Sequence, residues 1–150
     1  MDNSVIDAER AGRIPKQQAD HPRMAVGIDA VVITEVQSAL SLFGNRYLTR
    51  VFTPHEIACA SDGKELRAFD LAVCFAAKEA TLKALGPNVY IPPWQSIEVH
   101  HETNATCCVR LSGLAAELAS RARLSRFVVS FDHLENLAIA VVFAAEGTCP

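Results

Sequence analysis

The sequence predicts an α+β fold, an antiparallel sheet packed on one long helix, in a single domain over residues 24–146. Three observations point there. β-branched, apolar stretches stand near both ends, "MAVGIDAVVI" from Met24 and "RFVVSFDHLENLAIAVVFAA" from Arg126. Between them lie segments of helical period with their own start and stop residues, the longest running into Gly86-Pro87. The remaining strands come in pairs joined by short turn signals, and strands and helices that arrive in runs make an α+β domain. A chain of 150 residues suits one such core.

The elements follow in order. Residues 1–23 are polar and without clean period, and are expected to form a flexible extension with a helical turn near Val5–Arg10. "MAVGIDAVVI" reads as a strand interrupted by one acid, Asp29. Thr34 is placed to N-cap a helix over "EVQSALSLF", with Gly44 as its stop. A short helix is expected over Arg46–Val51. "TPHE", Thr53 to Glu56, combines an N-cap Thr, Pro at the first helical position and a Glu three residues on, which is a capping box. "SDGKE" reads as a turn, and the long helix is expected from about Lys64 to Leu85. After the loop "PNVYIPPW" come strands "SIEVHHE" and "ATCCVRL", linked by "TN". "SGLAAELASRAR" reads as a helix capped by Ser112, and the last two strands meet at a hairpin around Glu135-Asn136. Residues 147–150 are a tail.

Composition narrows the function. The formal net charge is −3 and the basic residues form no dense block, which argues against a nucleic-acid binder. No apolar run approaches a membrane span, and the N-terminus lacks the basic-then-apolar pattern of a signal peptide. Five cysteines without a CxxC fit reduced thiols, so a cytoplasmic protein is expected, with no nucleic-acid or membrane partner. His100, His101, Cys107 and Cys108 invite a metal reading, but neighbours on a strand point to opposite faces, which leaves too few ligands on one side. Trp94 and Tyr90 read as core anchors.

The long helix poses the sharper question. At 100° per residue, Leu66, Phe69, Val73, Ala76, Ala77, Ala80 and Ala84 share one arc, and Leu71, Ala72, Phe75 and Leu82 make a second apolar group. Arg67, Asp70, Cys74 and Lys78 form the strip expected to face water, while Glu79 and Lys83 fall between the apolar groups. On a solvated face, such an i,i+4 pair would be worth only a few tenths of a kcal/mol. Among apolar residues a charge needs a partner. Asp29 is the candidate: a strand packed on the helix would bring it to Glu79. One or two carboxylates, with water and substrate phosphates in the other positions, is what Mg²⁺ takes, and Lys83 could then neutralise a phosphate oxygen.

"GID" in the first strand, "FTPHE", "FAAKEATLKALG", "WQSIEV" and "SFDH…AIAVV" occur in this order. Together they resemble the single-domain 4'-phosphopantetheinyl transferases of the holo-acyl-carrier-protein synthase type, over roughly Ala25 to Phe143. The resemblance implies transfer of the phosphopantetheine arm of coenzyme A to a serine of an acyl carrier protein or a synthase's carrier domain, with release of adenosine 3',5'-bisphosphate. It implies Asp29 and Glu79 as Mg²⁺ ligands and Lys83 beside the phosphates. Lys78 becomes a phosphate neighbour or a structural residue, and Gly86 part of a phosphate-side loop. It also implies a homotrimer in which His133 of one protomer holds the nucleotide end of coenzyme A at its neighbour's site.

Some positions depart from the family pattern. Cys74 stands where an Arg is usual, Val32 where a Glu is frequent, and Glu35 where a basic residue is expected to meet the carrier. Gly86-Pro87-Asn88 replaces Gly-Thr-Gly, and Asp132 replaces a Ser before the His. Arg46 and Arg50 remain as positive charge for an acidic carrier helix, or as solvated arginines. Two rival readings follow: a catalytically degenerate relative that binds coenzyme A or a carrier domain without transfer, and an oligomeric scaffold whose acids and lysines merely pair.

Overall fold

The computed structural model describes residues 23–61, 63, 65–86, 91–101 and 107–147. Strand β1, Met24–Val32, alternates as a half-buried strand must: Ala25, Gly27, Asp29 and Val31 turn inward, while Met24, Val26, Ile28 and Ala30 are exposed. Four helices follow: α1 Ile33–Phe43, α2 Asn45–Val51, α3 Pro54–Cys59 and α4 Ala68–Leu85. A single 3-10 turn, Trp94–Ser96, leads into β2, Ile97–His101, and then come β3 Cys107–Leu111, α5 Gly113–Arg121, β4 Arg126–Leu134 and β5 Leu137–Ala145. The "TN" link, Pro87, Asn88 and Tyr90 lie outside the described residues.

The five strands form one antiparallel sheet in the order β1-β5-β4-β3-β2, packed on α4 as the sequence implied. β1 and β5 pair with each other, Asp29 opposite Ala140, so among the described residues β1 and β2 are the two edges. Leu71, Ala72, Ala76, Ala77 and Ala80 of α4 are fully buried against Ile97, Val99, Ala138, Ala140 and Val142 of the sheet. Each large aliphatic side chain among them contributes on the order of 1.5–3 kcal/mol. The alanines let the backbones close. At Gly27 the approach is so tight that an added Cβ would lie 1.8 Å from the Ala80 carbonyl oxygen.

One turn of α4 touches both edges of the sheet, through Gly27 of β1 at Ala80 and through Lys78, which donates to the Ile97 carbonyl of β2. A flat sheet of five strands would hold its edges about 19 Å apart, and a helix with side chains is only about 10–12 Å across. The sheet therefore curls around α4.

Several expectations need correction. α1 starts at Ile33 with Val32 at its N-cap, and Thr34 lies inside it. Asn136, from the β4–β5 turn, does the capping: its carbonyl accepts from Ile33 N–H and its side chain exchanges hydrogen bonds with Thr34. Helix α4 starts at Ala68 rather than Lys64, because Ser61 and Leu66 pair in an isolated antiparallel bridge and Arg67 N–H donates back to Ala60. Ser112 is the N-cap of α5 but makes no side-chain cap bond. Gly44, Gly86 and the Thr53 capping box stand where they were expected. None of the four described cysteines is in a disulfide.

Candidate active site

Alternation in β1 aims Asp29 at α4, and the small residues at Gly27 and Ala80 set how near it comes. Lys83 donates to Asp29 Oδ1 at 2.7 Å and to the Ile28 carbonyl at 2.9 Å. Its side chain is half exposed, whereas that of Asp29 is 17% exposed. The hydrogen bond to Asp29 raises the Lys83 pKa, outweighing desolvation, and the Asp29 and Glu79 charges add to it, so the ammonium stays charged. Glu79 is one turn earlier on the same side. Burial pushes its carboxyl above the usual range, the nearby Asp29 charge adds to that, and Lys83 opposes it. The three predicted residues thus meet in one place, two carboxylates and an ammonium on the β1 side of α4.

The donor set can be tested against a cation. Glu79 feels the Asp29 carboxylate as a repelling neighbour, a strain that a divalent ion between two such groups relieves. Two oxygen donors are too few for an all-protein cage, and among the described residues no group of three or more His, Cys, Asp or Glu is placed to hold a metal. A hard cation that keeps water and takes phosphate oxygens as its remaining ligands fits this set; zinc in a closed site does not.

Lys78 departs from the sequence reading. It and Cys74 were placed on the water-facing strip, yet both are buried, Lys78 completely. Lys78 Nζ meets Glu56 Oε2 at 2.9 Å and the Trp94 carbonyl at 3.0 Å, besides the Ile97 carbonyl. A lysine ammonium has three donors, and these acceptors use all three. Burial lowers the Lys78 pKa, with Glu56 acting against that. Burial in an apolar setting likewise pushes the Cys74 thiol far up, which makes it inert. Of the two roles weighed for Lys78, the geometry carries the structural one.

Glu56 is the residue that sequence reasoning missed. The sequence marks it only as the Glu of a capping box, three residues after Thr53. Its Oε2 accepts from Thr53 N–H and its Oε1 from Val99 N–H, both at 2.8 Å, and it is 1% exposed. It thereby blocks the open edge of β2. The available signal was a lysine next to Ala76 and Ala77 on a helix with few charges, which needs an acid if it is buried.

The other predicted residues lie apart. Gly86 closes α4 with φ +93° one turn past Lys83. His133, exposed on β4, packs edge-to-face on Phe69 in the first turn of α4, with ring centroids 5.1 Å apart. Phe69 and Glu79 are separated by about 15 Å of helix, so the protomer's own His133 is not part of the carboxylate cluster. His100 pairs with Glu98 and stacks on His55. A cleft of about 320 Å³ opens beside Glu56, Cys59, Arg67, Asp70 and Cys74, and none of Asp29, Glu79 or Lys83 lines it.

The model of the 4'-phosphopantetheinyl transferase superfamily matches residues 25–142. The chain belongs to that superfamily. Among named transferases of this superfamily, the chain is similar to the holo-[acyl-carrier-protein] synthase of Geotalea daltonii. The two are 38% identical over 117 residues, 77% of this chain and 93% of that one. Its fold matches the ACPS–CoA complex of Chronobacterium ammoniagenes with a TM-score of 0.70 and 28% identity, over 84% of this chain and 99% of the other. The holo-ACP-synthase of Plasmodium yoelii shares the transferase fold at a TM-score of 0.73 and 22% identity, over 85% and 99% of the two chains. Among the described residues no helix is long and apolar enough to cross a membrane.

Proposed function

We propose that this protein transfers the 4'-phosphopantetheine arm of coenzyme A to a serine of an acyl carrier protein, with Mg²⁺, and releases adenosine 3',5'-bisphosphate. The observation that carries this reading is the meeting of Asp29, Glu79 and Lys83 at the β1 edge of α4, in a chain of this superfamily. Asp29 and Glu79 would hold the ion. When bound, Mg²⁺ supplies Lewis-acid polarisation and a template for the pyrophosphate.

The chain's own residues do the rest. In the reaction a bond forms between the serine oxygen and the phosphorus that carries the pantetheine. The bond from that phosphorus to the bridging oxygen breaks, adenosine 3',5'-bisphosphate leaves with the electron pair on its 5'-phosphate oxygen, and the serine proton passes to a carboxylate or a water at the site. Charge grows on the leaving oxygens, and such reactions depend mainly on position and neutralisation. Lys83 suits that role: a half-exposed ammonium on a flexible stem, held at Asp29 and still reachable from solvent. Gly86, one turn on, would let the following loop approach the phosphates.

A homotrimer is part of the proposal. The sheet face turned away from α4 exposes Met24, Val26, Ile28 and Phe143, with Val26 and Val128 flanking Phe143 in one cross-strand row. Apolar patches of this kind mark interfaces. Packing between copies would bring an exposed His133 to a neighbour's site, a role its distance from Glu79 within one protomer leaves open. The cytoplasm, where carrier proteins and coenzyme A meet, is the proposed location.

The test is intact mass spectrometry of several apo carrier proteins incubated with this protein, coenzyme A and Mg²⁺. A gain of one phosphopantetheine, lost with chelator, is the expected result. Coenzyme A binding without any gain would favour the catalytically degenerate reading. No gain and no rise in melting temperature with coenzyme A would leave the scaffold.

A further inference from the structure

We propose that the buried Glu56–Lys78 pair is the positioning element of the active centre. It fixes the rotation and height of the turn of α4 that carries Glu79 and Lys83. The inference rests on the transferase reading above and extends it to residues that touch neither substrate nor metal.

Lys78 and Glu79 are neighbours on α4, about 100° apart around the axis. A helix held only by apolar packing can slip and turn by small amounts, because apolar contacts are not directional. Lys78 removes that freedom. Its three donors end on three separate elements: Glu56 of α3, Trp94 of the 3-10 turn and Ile97 of edge strand β2. Glu56 is itself pinned by the backbone N–H groups of Thr53 and Val99. Across the helix, Ala80 meets Gly27 with no room for a Cβ, and Gly27 is two residues from Asp29. The turn is thus clamped from both edges of the sheet. With Cα atoms at a radius of about 2.3 Å, a rotation of roughly 20° moves each attachment point by about 0.8 Å, and side-chain tips further. A misplacement near 1 Å can cost on the order of 100-fold in rate.

The pair has no other visible task at the site. Both side chains are fully buried, and Lys78 keeps no donor for a phosphate. A stabilising role alone would be met as well by apolar residues of similar volume.

The experiment compares Lys78→Met, Thr53→Ala and Thr53→Ser with the wild type. Thr53→Ala removes the hydroxyl that accepts from Glu56 N–H, which loosens the start of α3 on which Glu56 stands, and it carries the test should Lys78→Met fail to fold; Thr53→Ser keeps the hydroxyl and should restore wild-type behaviour. In metal-free protein, amide hydrogen exchange should quicken about tenfold over the turn Lys78–Lys83, while the first turn of α4 keeps its protection. Coenzyme A affinity without metal should stay within twofold. With Mg²⁺, kcat should fall roughly 10- to 100-fold in Lys78→Met and less in Thr53→Ala, with KM for coenzyme A nearly unchanged. An even loss of protection along α4 with normal turnover per folded molecule would overturn the proposal in favour of simple stabilisation. A tenfold weaker metal-free affinity for coenzyme A would overturn it in favour of phosphate contact. The exchange result stands whether or not the wild type proves to be a transferase, so failure of that reading is seen separately.

Discussion

Two lysines on one helix, Lys78 and Lys83, each pair with an acid from another element, and the two pairs could hardly differ more. Lys78–Glu56 is sealed, with both side chains at 0% exposure and every donor used. Lys83–Asp29 is open, with one ammonium face in solvent and a second carboxylate, Glu79, pressed close. A charge pair with all its hydrogen bonds satisfied inside the protein has no capacity left for a ligand. One at an edge, over-supplied with negative charge, is set up to accept a cation and a phosphate.

The comparison breaks first at Glu79. Glu79→Ala should reduce transfer by more than roughly 100-fold while circular dichroism stays native, since it removes one of two proposed ligands. Retained transfer in that variant would remove Glu79 from the metal site. Stability should separate the lysines next. In urea melts Lys78→Ala should lose about 3–5 kcal/mol by stranding the buried Glu56 charge, whereas Lys83→Ala should unfold at nearly the wild-type midpoint. Equal losses would mean that the two pairs are not the different things their burial suggests. Gly27→Ala should cost about 1–3 kcal/mol and also slow transfer, because Ala80 and β1 must part and Asp29 moves with β1. An unchanged rate would show that the spacing is slack.

The smallest effect is one of pH. The Glu79 carboxyl titrates above the ordinary glutamate value in the folded chain. Between the ordinary and the raised value, the folded state holds more protons than the unfolded, so stability falls as pH rises through that window. Glu79→Gln removes this cost. Its metal-free Tm at pH 7 should exceed the wild type by about 2 °C or less, since the group is part exposed and screened. The gain should vanish below the ordinary glutamate value, where both states are protonated, and Mg²⁺ should reverse the order by stabilising only the wild type.

Much of this was legible in the chain. Asp29 announced its inward face through strand alternation, Thr53 to Glu56 named its own helix start, and Gly44 and Gly86 marked their stops. Motif order led to the superfamily. The misplacing of Lys78 and Cys74 has one physical reason. A helical wheel hands the polar residues to water by elimination, and α4 has almost no watery side. Its would-be solvent strip lies against α3, the 3-10 turn and the β2 edge, so Cys74 and Lys78 are interior. The partners that decide this, Glu56, Trp94 and Ile97, are remote in sequence, and local pattern cannot report them. The α1 cap repeats the lesson, since Asn136 reaches it from the far end of the chain.

The pairing of β1 with β5 has a consequence for the order of events in synthesis. Asp29 emerges early, but among the described residues its strand pairs with β5 alone, far on in the chain. Until β5 is made that pairing cannot form, and closing so long a loop is slow relative to the local helices. The centre therefore comes together late: α4 can form with Glu79 and Lys83 in place, yet Asp29 arrives only when β1 and β5 meet.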